Sequence, residues 1–438
     1  MSSSPLRLCA PPDFVLQGDV HLDGSKSISN RALLIAALCG KPFELHGLSS
    51  SDDTILMQKA LSSSESIIDV GAAGTTMRFL TAYFASKEGE ERLLTGSERM
   101  LQRPIADLVE ALQALGADIV YEGNVGCPPL RIRGKKLKGG KVHVHAGLSS
   151  QFASALLLIA PLLEEGLQLQ LGGNVVSESY IQMTLSLMRH FGIESTHCGT
   201  EIKVDPQAYQ ARNYVVESDW SAASYYYALA ALAPQAHICL HGLNPPFEKK
   251  VLQGDTAIAH LARHLGVETY WDKEGQCETN IPLICLKKNA FNTIQHTALT
   301  EFDFTNCPDI AQTAAVMYAA LQLPLKMYGL QTLQAKETDR TAAIAQELAK
   351  INAVFEELPI HGLPPNHTFV LQKNENLLLT DTYIPTFNTY DDHRMAMSFA
   401  ALAMVYRQGV RIENPQVVSK SYPRFWDDLQ KLGMKIRD

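Results

Sequence analysis

The chain has 438 residues and a mass of 48.2 kDa, which exceeds one ordinary hydrophobic core and predicts about two to three domains. With 46% hydrophobic and 19% charged residues, its composition is that of a globular protein and excludes global disorder. The formal charge of -8 excludes bulk electrostatic binding to nucleic acid or to an anionic membrane. Any anion site must therefore be concentrated locally.

The sequence shows no membrane or export signal. No stretch approaches the roughly 20 apolar residues of a membrane span, and the amino terminus, MSSSPLRLCAPP, lacks an apolar signal-peptide core. The eight cysteines contain no C-x-x-C pair, so neither a zinc knuckle nor a disulfide framework is indicated. We therefore expect a cytoplasmic protein with reduced, buried thiols.

The first predicted elements are a strand, FVLQGDVHLDG, and a helix, GSKSISNRALLIAAL. Lys26 and Ser27 stand at the start of this helix, and Arg31 at i+4 from Ser27 lies on the same face. The next apolar helix follows a glycine-rich turn, GAAGTTMRFLTAYFA, which contains Gly74 and Arg78. Such a turn lets backbone N–H groups approach an anion, and the helix dipole favours its negative charge.

Later predicted helices also carry polar or cationic residues in the first turn or in the loop before it. In chain order these are Ser149, Ser150, Gln151, Ser177, Tyr180, Asp309, Lys336, Glu337, Arg340, Asp392, His393, Arg394 and Lys420. Taken singly, a Ser or Asp at such a position is an ordinary N-cap worth about 1 kcal/mol. Cations at helix starts oppose the dipole, so their recurrence predicts compensating anions. Ligands that carry phosphates and carboxylates meet this requirement.

A pattern of helix, left-handed residue and strand recurs five times, at Gly116, Gly192, Gly266, Asn352 and Gly433. The spacings of 74 to 86 residues indicate a multi-element α/β unit rather than a short solenoid repeat. A degenerate sixth copy is predicted around DDTILMQKALSSS.

A hinge is predicted between His237 and Gly254, where two prolines and polar residues interrupt the pattern. We therefore predict one domain over residues 24–241 and a second domain that combines residues 1–23 with residues 242–438. The chain would then cross twice between the domains.

In order and spacing, GSKSISNRALL, GAAGTTMRF, QRPIADL, SSQF, KETDR, DDHRMAM and Lys420 resemble the 5-enolpyruvylshikimate-3-phosphate synthase (3-phosphoshikimate 1-carboxyvinyltransferase) family. The resemblance implies an α/β fold of two similar domains, each with three βαβαββ-type repeats, and an active site in the cleft between them. It implies transfer of the enolpyruvyl group of phosphoenolpyruvate to the 5-hydroxyl of shikimate 3-phosphate. Phosphate is released in this step of the shikimate pathway, which leads to chorismate and the aromatic amino acids.

The resemblance also implies roles for individual residues. Glu337 would donate a proton to the methylene carbon, Asp309 would act as the base at the 5-hydroxyl, and Lys26 would assist. Phosphoenolpyruvate would be surrounded by Gly74, Arg78, Arg103, Lys336, Arg340, His393, Arg394 and Lys420. Shikimate 3-phosphate would be bound by Ser27, Arg31, Ser149, Ser150, Gln151, Ser177 and Tyr180. The family needs no cofactor or metal and is mostly monomeric, so we expect a monomer.

Three positions depart from the commoner family pattern, because Ala72 replaces an Asn, Phe79 a frequent Pro and Thr332 an Asn. Two alternative functions are also considered. The sister enzyme that acts on UDP-N-acetylglucosamine has a reactive Cys shortly before its Arg-Pro, and TGSERMLQRPI contains none. A non-catalytic anion-binding protein is disfavoured, because Glu337 and Asp309 would repel anionic ligands unless the chemistry used them.

Overall fold

The structure, a computed structural model, describes residues 4–145, 149–173, 175–246, 251–271, 282–289, 298–373, 377 and 382–437. Contacts divide the chain into two compact units, which we call the terminal unit (Met1–Asp23 with Glu217–Asp438) and the central unit (Gly24–Val216). The second crossing thus precedes the predicted boundary between residues 241 and 242. The reason is that strand Gln235–His241 already pairs with strand Val15–His21 inside the terminal unit. Residues 247–250 of the predicted hinge lie outside the described residues.

The central unit contains six helices among its described residues. They are α1 (Lys26–Cys39), α2 (Asp52–Ser62), α3 (Gly74–Ala85), α4 (Ala106–Ala114), α5 (Ser150–Ile159) and α6 (Glu178–His190). Its strands are β3 (Leu45–His46), β4 (Ile67–Asp69), β5 (Glu91–Thr95), β6 (Asp118–Tyr121), β7 (Leu130–Arg133), β8 (Gly140–His145), β9 (Leu167–Gly172), β10 (Thr196–Cys198), β11 (Glu201–Val204) and β12 (Tyr214–Val215). They form two four-stranded sheets, β4-β5-β7-β6 and β8-β9-β11-β10, and the short pair β3-β12.

The terminal unit also contains six helices among its described residues. They are α7 (Trp220–Leu232), α8 (Ala257–Arg263), α9 (Ala311–Ala320), α10 (Arg340–Ala349), α11 (His393–Ala400) and α12 (Phe425–Lys431). Its strands are β1 (Leu6–Cys9), β2 (Val15–His21), β13 (Gln235–His241), β14 (Glu268–Trp271), β15 (Leu283–Lys288), β16 (Glu301–Asp303), β17 (Leu325–Tyr328), β18 (Phe355–Glu357), β19 (Phe369–Leu371), β20 (Thr386–Phe387), β21 (Val410–Ile412) and β22 (Lys435–Arg437). They form the sheets β14-β15-β13-β2, β16-β17-β19-β18 and β20-β21-β1-β22.

The repeating unit is β-α-β-α-β-β, as predicted. In β4-α3-β5-α4-β6-β7 the first two strands are parallel, and the last two pair antiparallel with each other. The same order recurs from β8 to β11 and from β16 to β19. Strands β1 and β2, from the amino terminus, complete the remaining two four-stranded sheets. The degenerate sixth copy consists of the parallel pair β3-β12 with α1 and α2.

In each complete repeat the first helix is buried and the second is amphipathic. Every residue of α9 and α11 is buried, and α7 is buried apart from Ser221 at its start. The alanines of α7 and α9 let the helix backbones pack closely, and α7, α9 and α11 contact one another. Although several helices are apolar, none of those in the described ranges combines the length and hydropathy of a membrane span.

Each amphipathic helix ends two or three residues before the predicted left-handed residue. The φ angle is 102° at Gly116, 84° at Gly192, 83° at Gly266, 63° at Asn352 and 87° at Gly433. Glycine and asparagine tolerate this conformation best, so each helix stops there and the chain turns into the next strand.

The prediction that all thiols are reduced is wrong for one pair. Cys239 and Cys285 form a disulfide, because the antiparallel register of β13 and β15 places them directly opposite each other. Free cysteines among the described residues are Cys9, Cys39, Cys127, Cys198 and Cys307. Cys277 lies outside the described residues.

Candidate active site

The predicted site residues fall into two groups, one in each unit. The central cluster consists of Lys26, Ser27, Arg31, Gly74, Arg78, Arg103, Ser149, Ser150, Gln151, Ser177 and Tyr180. The terminal cluster consists of Asp309, Lys336, Glu337, Arg340, His393, Arg394 and Lys420. Arg78 and Arg103, expected near phosphoenolpyruvate, thus belong to a different unit from the other cations expected there.

Polar contacts join the helix starts of the central cluster. Lys26 Nζ lies 3.1 Å from Asp53 Oδ2, which links the starts of α1 and α2. The Thr76 hydroxyl donates to the main-chain oxygen of Asp53 at 3.0 Å, and Gln151 Nε2 donates to the Thr75 hydroxyl at 3.0 Å. The first turns of α1, α2, α3 and α5 therefore lie close together, so their side chains can contact the same ligand.

Arg31 is a buried member of the central cluster. Its guanidinium donates to the Thr184 hydroxyl at 2.8 Å and the Ser154 hydroxyl at 3.0 Å, and it lies over the Phe79 ring at 5.2 Å. Burial lowers the pKa of Arg31 to about 10, and Tyr180 opposes this shift. Arg31 therefore remains charged at neutral pH while it holds α1 against α5 and α6. Phe79, one of the departures from the family pattern, supplies the aromatic face for this cation.

Gly74 and two arginines form the start of α3. Arg78 donates to the main-chain oxygens of Gly74 at 3.2 Å and Pro104 at 3.0 Å, which fixes the loop before α4. The buried Arg103 guanidinium packs directly against Gly74, and a Cβ atom at position 74 would lie 2.5 Å from Arg103 Nη1. Only glycine leaves the Arg103 side chain in this position.

Two serines at helix starts behave differently. The Ser149 hydroxyl accepts from the Gln151 N–H at 3.2 Å and is an ordinary cap of α5. Ser177 precedes α6 with a left-handed φ of 56°, and its hydroxyl makes no capping bond. A non-glycine residue in this conformation costs of order 1–3 kcal/mol, and such strain clusters at functional sites. The Ser177 side chain therefore does not act as a cap of α6.

Asp309 is surrounded by cations in the terminal cluster. One carboxylate oxygen lies 3.1 Å from Arg340 Nη1 and 3.6 Å from Lys336 Nζ. The other lies 2.9 Å from Arg394 Nη2. Asp309 lies in the short 3-10 helix Pro308–Ile310 that leads directly into α9, so this carboxylate stands close to the start of a fully buried helix. A negative charge there is favoured by the helix dipole as well as by its ion pairs.

Arg340 connects Asp309 to the second predicted catalytic carboxylate. Its Nη2 lies 2.8 Å from Glu337 Oε2, and its Nε lies 2.7 Å from Asp392 Oδ2. Burial lowers the pKa of Arg340, but Asp392, Glu337 and Asp309 outweigh this effect and raise it. Lys420 Nζ lies 3.6 Å from Glu337 Oε1. Both predicted catalytic carboxylates therefore share one permanently charged guanidinium.

The remaining predicted residues of the terminal cluster also lie near its carboxylates: Lys336 and Arg394 near Asp309, and His393 near Asp392. Burial lowers the pKa of Lys336, Asp309 opposes the shift and Arg340 adds to it. His393 is buried, and its Nδ1 lies 3.7 Å from Asp392 Oδ1. Asp392 caps α11 by accepting from the Arg394 N–H at 2.8 Å. This cap places His393 and Arg394 in the first turn of α11.

The structure adds residues that the sequence analysis did not assign to the site. Arg394 donates to the Tyr225 hydroxyl at 3.4 Å and to the Ser221 hydroxyl at 3.5 Å. The Ser221 hydroxyl in turn donates to the buried Asp255. Burial, reinforced by Asp309, raises the pKa of Asp255 to about 7. In the sequence, Asp53 and Asp255 cannot be distinguished from ordinary helix caps. Tyr225 likewise cannot be distinguished from a core residue.

Among the described residues, one His/Cys group has spacing suited to a metal ion: His237, Cys239 and Cys285. None of the three belongs to either cluster.

Comparisons with known proteins agree with the resemblance found in the sequence. The family model of EPSP synthase (3-phosphoshikimate 1-carboxyvinyltransferase) matches residues 12–65 and 59–429. A 3-phosphoshikimate 1-carboxyvinyltransferase of Bacteroides fragilis is 44% identical over 429 residues, covering 96% of this chain and 97% of the relative. One from Haemophilus influenzae is 34% identical over 466 residues, covering 98% and 99%. The structure of EPSP synthase from Acinetobacter baumannii shares the fold, with a TM-score of 0.74 at 18% identity, covering 99% of this chain and 100% of that one.

Proposed function

The chain belongs to the EPSP synthase family, and on that basis we propose that it transfers the enolpyruvyl group of phosphoenolpyruvate to the 5-hydroxyl of shikimate 3-phosphate, releasing phosphate. This is a step of the shikimate pathway towards the aromatic amino acids. The observation that carries the proposal is the family match over nearly the whole chain. The terminal cluster supports it, because it combines two carboxylates with several cations.

The reaction is an addition followed by an elimination. In the addition, the 5-hydroxyl oxygen bonds to C2 of phosphoenolpyruvate, the hydroxyl loses its proton and the C3 methylene gains one. In the elimination, the bond from C2 to the phosphate oxygen breaks, and the C3 methyl group loses a proton to restore the double bond. This chemistry needs an acid, a base and cations that stabilise multiply charged substrates.

We propose Glu337 as the proton donor to C3 and Asp309 as the base at the 5-hydroxyl. Arg340 contacts both carboxylates and so sets the distance between them. Anionic substrates compete with these carboxylates for the cations Lys336, Arg394 and Lys420. This competition supports the assignment, because a carboxylate released from its ion pairs can exchange a proton.

In the central cluster we propose that shikimate 3-phosphate is bound by Ser27, Arg31, Ser149, Ser150, Gln151, Ser177 and Tyr180. Lys26 would assist the reaction and hold both substrates, and Arg31 would also position the helices of the cluster. Gly74, Arg78 and Arg103 would bind phosphoenolpyruvate together with Lys336, Arg340, His393, Arg394 and Lys420. Alignment of two reactants supplies roughly 7–11 kcal/mol, which exceeds the ~10²- to 10⁴-fold effect of one acid or base.

The test is a phosphate-release assay with phosphoenolpyruvate and one of two acceptors. We expect release with shikimate 3-phosphate and none with UDP-N-acetylglucosamine. Release only with UDP-N-acetylglucosamine would assign the chain to the sister reaction. Binding of phosphoenolpyruvate without release with either acceptor would leave an anion-binding protein.

We also propose that the enzyme is a cytoplasmic monomer. Sedimentation of the purified chain at 48.2 kDa at assay concentration would support the monomer, and a dimer mass would contradict it.

A further inference from the structure

The outer face of the sheet β14-β15-β13-β2 carries three side chains that can bind a metal ion, and we call His237, Cys239 and Cys285 the His-Cys site. His237 and Cys239 are two residues apart on β13, so they project from the same face. Cys285 lies directly opposite Cys239 on β15. The Nε2 or Nδ1 atom of His237 and the two sulfur atoms all lie within 4.8 Å of one another.

This face of the sheet is accessible from solvent. The alternate residues of the same strands, Ile238, Leu240, Ile284 and Leu286, are completely buried and form the core face. His237 is exposed, and Cys239 and Cys285 are partly exposed. An ion can therefore reach the site without opening the core.

The three side chains form a ligand set suited to soft divalent cations. Two thiolates and one imidazole are typical zinc ligands, and three protein ligands leave a fourth position for water. A tetrahedral zinc ion with ~2.3 Å bonds to sulfur and ~2.0 Å bonds to nitrogen needs ligand atoms about 3.5–3.8 Å apart. His237 Nε2 lies 4.0 Å from Cys239 Sγ. Coordination therefore requires the His237 nitrogen to move about 0.5 Å towards Cys239 Sγ. The two sulfur atoms must also move apart once the disulfide is reduced.

The surrounding charges do not oppose a cation. Lys287 lies opposite His237 in the sheet register, but Glu268 lies opposite Lys287 on β14 and supplies the compensating charge. On the other side Asp19 of β2 is in register with Cys239. Asp19 accepts from His241 at 2.9 Å. The two carboxylates around the His-Cys site offset its cationic neighbours.

We propose that the His-Cys site binds one zinc-class divalent cation when the Cys239–Cys285 disulfide is reduced, and that the disulfide excludes the ion. A thiol or phosphine reductant supplies two electrons to the disulfide and is itself oxidised, and the two sulfur atoms take up two protons. Metal binding then displaces both thiol protons and forms two metal–sulfur bonds and one metal–nitrogen bond. The site thus has two mutually exclusive states, which are selected by the redox conditions.

The proposal is tested by metal titration of the full chain in both redox states. The protein is reduced with a phosphine under anaerobic conditions, freed of reductant and titrated with Zn²⁺ against a chromophoric chelator. A parallel titration with Co²⁺ records the thiolate-to-cobalt charge-transfer absorption. We expect one tightly bound ion per chain and a thiolate band for the reduced protein, and neither for the protein with its disulfide intact.

Variants identify the ligands. Cys239→Ser with Cys285→Ser should abolish the thiolate band, and His237→Ala should weaken zinc binding at least roughly tenfold while keeping the band. The matched control is His197→Ala with Cys198→Ser, which removes a neighbouring His and Cys of β10 whose side chains project from opposite faces. This control should bind zinc like the wild type.

Phosphate release should be unchanged in all of these variants, which verifies that they are folded. Equal zinc affinity in the reduced wild type and the double Cys variant would overturn the proposal. Zinc binding by the reduced wild type without a cobalt–thiolate band would overturn it as well.

Discussion

Arg340 is the residue on which the terminal cluster depends. Its side chain is 2% exposed and contacts Asp309, Glu337 and Asp392. Lysine offers a single ammonium group and cannot reproduce the planar fork that reaches several carboxylates at once. Removing one partner of such a buried network typically costs about 3–5 kcal/mol, because a charge is left without compensation. We therefore expect Arg340 to position the two proposed catalytic carboxylates in addition to its proposed role in binding phosphoenolpyruvate.

Glu337→Gln tests the proposed proton donor. Glutamine keeps the size of the side chain and one acceptor oxygen for Arg340 but cannot donate a proton to carbon. We expect kcat to fall roughly 10²- to 10⁴-fold, with little change in the Kd for phosphoenolpyruvate. Steady-state phosphate release and equilibrium binding measure the two quantities. Glu110→Gln, on the exposed side of α4, is the control, and unchanged turnover in Glu337→Gln would refute the assigned role.

Gly74→Ala tests the close approach of Arg103 to α3. A Cβ atom at position 74 would lie 2.5 Å from Arg103 Nη1 and would push the guanidinium away. Because a hydrogen bond to a charged group is worth about 1.5–3 kcal/mol, we expect the KM for phosphoenolpyruvate to rise roughly 10-fold or more. A double-mutant cycle with Arg103→Ala should be strongly non-additive. Additive effects would show that Gly74 does not act through Arg103.

At the scale of elements, the repeats depend on how each amphipathic helix ends. Four of the five helix-ending positions are glycine and one is Asn352, all with positive φ. The left-handed residue reverses the chain so that the following strand can join the sheet. Five similar endings thus give five similar units, although the surrounding sequences differ.

Substitutions of Asn352 measure how much the left-handed residue after a helix contributes to the free energy of unfolding. We expect Asn352→Gly to keep or slightly raise the free energy of unfolding, because glycine adopts a φ of 63° without steric cost. Asn352→Val should lower it by about 1–2 kcal/mol, because a β-branched residue is strained there. Denaturant unfolding monitored by circular dichroism gives both values. Equal stability of the two variants would contradict this explanation.

At the scale of the whole molecule, each unit surrounds its polar cluster with buried helices. In the terminal unit α7, α9 and α11 are buried along almost their whole length. Their first turns supply Ser221, His393 and Arg394, and Asp309 lies just before α9. Low-dielectric surroundings strengthen the ion pairs of the cluster and shift its proton equilibria. Burying these charges lowers the free energy of unfolding, and the packing of the whole unit must offset this loss.

The buried carboxylate of Asp255 makes the free energy of unfolding depend on pH. Burial and Asp309 raise the pKa of Asp255 from 3.8 to about 7. Between these two pH values, Asp255 is protonated in the folded state and ionised in the unfolded state. This contribution to stability is fully present below pH 3.8 and is lost as the pH rises through about 7.

Asp255→Asn removes this titration and isolates its effect. We expect the free energy of unfolding of the variant, relative to the wild type, to increase as the pH is raised from about 5 to about 8.5. Denaturant unfolding at both pH values gives the comparison. Asp427→Asn, an exposed position of α12, is the control, and an opposite pH trend for Asp255→Asn would contradict the raised pKa.

The sequence alone determined the repeating unit, the helix starts, the helix endings and the family. These features depend on local conformation: a left-handed residue ends a helix wherever it stands, and a motif such as KETDR keeps its residues at neighbouring positions. The predicted βαβαββ unit is accordingly confirmed in the fold. The roles of individual site residues stay predictions.

The tertiary structure decided which distant residues meet. Arg340 reaches Asp392 across 52 residues, Cys239 meets Cys285 through strand register, and α7 joins the terminal unit before the predicted hinge. No local pattern encodes these pairings, because they arise when buried helices and paired strands pack in three dimensions. A partner far along the chain is chosen by the packing of whole elements, whereas a turn or a cap is chosen by its nearest neighbours.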